Sequence, residues 1–69
     1  MLNRNSIIVL SYLKNYFKQN KKPVTIFDLN VENLSLAEIE KAFEELSQNK
    51  FIKLNNQYIY PCVEGIILT

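Results

Sequence analysis

The sequence predicts a small α+β domain, three helices followed by a C-terminal β-hairpin, and three observations carry that prediction. Residues 36–46 repeat apolar side chains at helical spacing, with Leu36, Ile39, Ala42, Phe43 and Leu46 on one face. Ser35 and Glu38 precede them at the spacing of a capping box, in which hydroxyl and carboxylate satisfy each other's backbone amides. The polar run Ser47, Gln48, Asn49, Lys50 then ends the period, and the segments 51–54 and 57–60 flank Asn55-Asn56. Asparagine tolerates positive φ, so a two-residue turn fits there.

Composition bounds the rest. A single domain of 69 residues buries only about 60% of its unfolded surface, leaving little room for an enclosed active site. With 48% hydrophobic residues, two prolines and one glycine, it reads as an ordered globule. One cysteine, Cys62, excludes an internal disulfide, and the lack of histidine excludes a Cys/His zinc site and an imidazole base. No cofactor is expected. Apolar runs such as 7–10 fall far short of the roughly 18 residues of a membrane span, and the start MLNRNS lacks the shape of a signal peptide, so the expectation is a soluble, cytoplasmic chain. Glu38, Glu40, Glu44 and Glu45 sit on an exposed helix without a glycine-rich phosphate loop or a nucleophile and base pair. Neither an enzyme nor a small-molecule substrate is inferred.

In chain order, a first helix over 5–20 places Val9, Leu10, Leu13, Tyr16 and Phe17 on one arc, with Ser6 and Asn20 at its ends and Ser11, Lys14, Asn15 and Lys18 opposite. Ile7 and Ile8 fall outside that arc. Pro23 disfavours a helical Lys22 and ends the helix, leaving a short strand over 23–25. Thr25 stands three residues before Asp28 and starts a second helix over 26–33, whose apolar residues are Ile26, Phe27, Leu29 and Val31. A tight turn at 33–35 leads into the third helix, 35–48. In the hairpin over 51–60, Leu54 faces Gln57, Lys53 faces Tyr58, Ile52 faces Ile59 and Phe51 faces Tyr60, which puts Ile52 and Ile59 on the core face. The remainder, 61–69, is an apolar tail in which Gly65 permits a bend and Cys62 is a small packed residue.

The stretch PVTIFDLNVENLSLAEIEKAFEELSQNKFIKLNNQYIY resembles the winged-helix pattern of bacterial transcription regulators, in which a short strand, a capped helix, a turn and a recognition-type helix lead into a β-ribbon. Leu46, Phe51 and Ile52 fill the step into the ribbon, and Cys62 stands where that pattern has a threonine. The likeness covers residues 6–60. It implies a single domain, 1–69, built as a three-helix winged helix-turn-helix with a C-terminal β-hairpin wing, and a DNA-binding regulator. Many unrelated activities share these spacings.

Charge locates the candidate contacts. The net charge is +1, yet residues 1–22 carry Arg4, Lys14, Lys18, Lys21 and Lys22 without an acid. The expected nucleic-acid-binding set is Lys18, Lys21 and Lys22, the third-helix residues Lys41 and Gln48, and Lys53, Asn55, Asn56, Gln57 and Tyr58 around the wing. Insertion of the third helix into a major groove is disfavoured, because its glutamates repel phosphates. The alternative is a protein-interaction module that docks its acidic third helix on a basic partner without binding DNA. A homodimer through Ile7, Ile8, Ile66, Ile67 and Leu68 is the expected self-association.

Overall fold

The computed structural model describes residues 2–29, 31, 33–55 and 59–67. Two helices, α1 (Arg4–Gln19) and α2 (Leu36–Gln48), pack on a three-stranded antiparallel sheet of β1 (Val24–Thr25), β2 (Ile52–Asn55) and β3 (Cys62–Ile66). The strand order is β1-β3-β2, so the last strand is the central one.

Local chemistry sets the helix ends. Asn3, not Ser6, caps α1: its side chain accepts from the Asn5 N–H at 2.8 Å. Ser6 instead lies inside the helix, buried, and lines a crevice with Ala42, where two small side chains allow α1 and α2 to approach closely. At the other end the Asn20 N–H and Nδ2 both donate to the Tyr16 carbonyl. The capping box of α2 forms as read from sequence, with the Glu38 N–H donating to Ser35 Oγ and the Ser35 N–H donating to Glu38 Oε1. The α2 C-terminus closes in a Schellman arrangement, in which the Lys50 N–H donates to the Ser47 carbonyl and the Phe51 N–H to that of Leu46. Lys50 occupies the left-handed position, φ 63°, that glycine usually fills.

The core joins both helices to one face of the sheet. Val9 and Leu13 of α1, Ile39, Phe43 and Leu46 of α2, and Val24, Ile52 and Val63 of the strands are almost completely buried. Leu36, expected on the core face, lies half-exposed at the first turn of α2.

The second helix expected over 26–33 is not found among the described residues. Its start signal is present: the Phe27 N–H donates to Thr25 Oγ1, and the Thr25 N–H and hydroxyl both donate to Asp28 Oδ2. Only a single turn over 26–28 follows, closed by the Asp28 N–H on the Thr25 carbonyl. A cap satisfies orphan amides but does not offset the cost of nucleating so short a helix, and side-chain bonds of this kind serve a turn equally well. Asn33 then reverses the chain at φ 68°. The same Thr25–Asp28 bonds occupy the outward amide of edge strand β1, which closes that edge to another chain.

The ribbon also differs from expectation. Ile52 pairs with Ile66, Lys53 with Gly65, Leu54 with Val63 and Asn55 with Cys62. The two-residue turn expected at Asn55-Asn56 is therefore not the end of the ribbon, since Asn55 already pairs with Cys62, and what reads as an apolar tail is the middle of the sheet. The physical reason is Val63: in this register it pairs with Val24 and Leu54 at once and is sealed in the core, whereas a return at 57–60 would strand it beyond Pro61, which has no amide to donate. Ile59, expected opposite Ile52 on the core face, is 93% exposed. Gly65 stays within β3, without positive φ, beside the irregularity at Lys53/Leu54 where Glu64 has no partner on β2.

Candidate nucleic-acid interface

Pleating assigns the sheet's two faces. Val24, Val63 and Leu54 form a paired row pointing into the core, so the adjacent row, Thr25, Cys62 and Asn55, points the other way, as does the exposed Lys53 between Ile52 and Leu54. On this outer face an open groove of about 500 Å³ is lined by Pro23, Thr25, Ile59, Tyr60 and Cys62. Tyr60 meets Phe27 edge to face, ring centroids 4.7 Å apart at 86°, which ties the 26–28 turn to the residues that lead into β3. Both rings stay about half-exposed, Phe27 at 55% and Tyr60 at 48%. Cys62, a free thiol, is buried at the floor.

The structure gathers some of the expected contact residues here and disperses others. Lys21 and Lys22 are exposed in the segment that delivers Pro23 to the groove, and Lys53 and Asn55 lie on the same outer face. Asn56, Gln57 and Tyr58 lie outside the described residues, so the expected Lys53–Tyr58 pair is replaced by Lys53 opposite Gly65. Lys18 sits elsewhere, with Lys14, Phe17 and Ile66 around a second groove beside α1. Lys41 stands between Glu38 and Glu45 near the start of α1, and Gln48 lines a shallow crevice with Glu44 and Leu54.

The acidic helix is partly committed within the chain. Glu45 Oε1 accepts from the Asn3 N–H at 2.6 Å, and Glu38 Oε2 from Asn5 Nδ2 at 3.2 Å, so two carboxylates face the N-terminal end of α1, where the helix dipole favours negative charge. The Ser35 amide and hydroxyl, with Asn5 and Lys41 adding, hold the Glu38 carboxyl below the usual glutamate range. Glu44 remains fully outward and Glu40 half-buried.

The expected self-association residues differ in exposure, Ile7, Ile8 and Ile67 being exposed and Ile66 partly buried. Ile66 packs against the core, the Ile67 N–H donates to the Phe51 carbonyl, and Leu68 lies outside the described residues. Ile7 and Ile8 do face outward on α1, but on the side that carries Arg4, Lys14 and Lys18, whose charges oppose contact between two copies of this face.

Compared with known proteins, the chain matches no family model, no curated protein and no solved structure. Among the described residues no group of acids or cysteine is arranged to hold a metal ion, and no helix is long and apolar enough to cross a membrane.

Sequence reasoning missed Pro23, Thr25, Phe27, Ile59 and Tyr60 as a common surface. Pro61 was the available signal, since proline is at home where a strand begins, which starts the second ribbon strand after it and leaves Ile59 and Tyr60 in the connection.

Proposed function

We propose that the chain is a small winged-helix module of the regulator type that contacts nucleic acid through the outer face of its sheet and the adjoining residues Ile59 and Tyr60, not through α2. The order of helix, short strand, capped turn, helix and ribbon supports the winged-helix reading, with the expected second helix reduced to one turn. The observation that carries the contact surface is an apolar groove whose Tyr60 meets Phe27, on the sheet face that also presents Lys53, with Lys21 and Lys22 directly preceding its lining residue Pro23. Cations neutralise phosphates while apolar rings meet sugar or base, and both are needed for a contact that is more than electrostatic. An α2-centred protein interaction is the weaker reading, because Glu38 and Glu45 already serve α1.

Titration of a labelled duplex at low and moderate salt tests this. Binding should weaken steeply with salt, and Lys21→Glu/Lys22→Glu should lower the log-log slope by about 2, close to one per phosphate contact. Absence of binding even at low salt, to the duplex and to a single strand alike, would overturn it.

A further inference from the structure

Lysines account for phosphate contact but leave Phe27, Ile59 and Tyr60 without a role, and these are the most exposed apolar side chains beside the groove. We infer that the groove takes unpaired bases, so that the preferred ligand is single-stranded nucleic acid; this rests on the nucleic-acid reading above. In a duplex every base face is covered by its neighbours, and apolar side chains reach one only by forcing a step apart. A single strand offers its bases freely, and an aromatic ring beside a basic track is what they stack on, whatever their sequence.

The rings are suitably placed. Phe27 and Tyr60 come from opposite halves of the chain yet hold each other edge to face, so the platform exists before a ligand arrives. Lys21 and Lys22 lead into the groove through Pro23, and Lys53 projects from the same sheet face. Of the nearby acids, Asp28 is turned onto the Thr25 amide and hydroxyl and Glu64 is the exposed bulge residue of β3, so the three lysines Lys21, Lys22 and Lys53 stand against two carboxylates. A protein partner fits less well, since lysine is depleted at protein interfaces.

Fluorescence anisotropy at low salt decides the question with three probes of one length: oligothymidine, oligouridine, and a mixed-sequence duplex. Wild type should bind at least one single strand roughly tenfold or more tighter than the duplex, and the preference between the two single strands distinguishes a DNA from an RNA ligand. Phe27→Ala and Tyr60→Ala should each lower single-strand affinity by roughly tenfold while leaving the salt slope unchanged, with a melting temperature lowered by only a few degrees, so that the protein stays folded in the assay. Equal or tighter duplex binding, still sensitive to Lys21→Glu/Lys22→Glu, would overturn the single-strand inference and leave the nucleic-acid reading standing. No binding to any of the three would overturn both, and binding insensitive to both ring substitutions would overturn the role of the groove.

Discussion

The two faces of the sheet use the same residue types to opposite ends. On the inner face Ile52 and Val63 are sealed between the helices, whereas around the outer face Ile59, Tyr60 and Phe27 stand in solvent beside lysines. An isoleucine's contribution is thus decided by the side on which the ribbon register leaves it, not by its hydrophobicity. In so small a domain, apolar side chains left outside the core add little to stability, and their clustering around one groove is what supports the proposal of a contact surface on the outer face.

The contrast is easiest to break at Ile52. Ile52→Ala should cost about 2–5 kcal/mol, a large part of the stability of such a domain, and would be read by chemical denaturation. A smaller loss is expected at the helix that roofs the inner face: Ser35→Ala removes the acceptor for the Glu38 N–H and should cost about 1 kcal/mol in the same assay. The partner carboxylate adds a pH signature. Because folding holds the Glu38 pKa down, its contribution is complete above the unfolded value and is lost as pH falls below about 4.5 through the folded value. Melting temperatures followed into acid should therefore fall less steeply for Glu38→Gln than for wild type. The smallest effect sharpens the comparison most: Ile59→Ala should change stability by no more than about 0.5 kcal/mol, and a loss like that of Ile52→Ala would place Ile59 back in the core.

Much of the local structure was legible in the residues. The capping box at Ser35 and Glu38, the buried face of Ile39, Ala42, Phe43 and Leu46, the end of α1 at Asn20 and the reversal at Asn33 all depend on partners within a few positions. The misreadings share the opposite property. Thr25 and Asp28 carry the same kind of start signal as Ser35 and Glu38 but lead to one turn, because a helix that short depends on packing to persist. Alternation places Lys53 outward but does not name Gly65 as its partner, since pairing is a competition among segments distant in sequence. The sequence by itself determined where chain direction changes and which helix faces are apolar, through bonds that close over three or four residues. Tertiary structure alone decided that Cys62–Ile66 is the central strand and that Phe27 meets Tyr60 across the outer face, because only the folded chain shows which strand can pair on both sides and bury Val63.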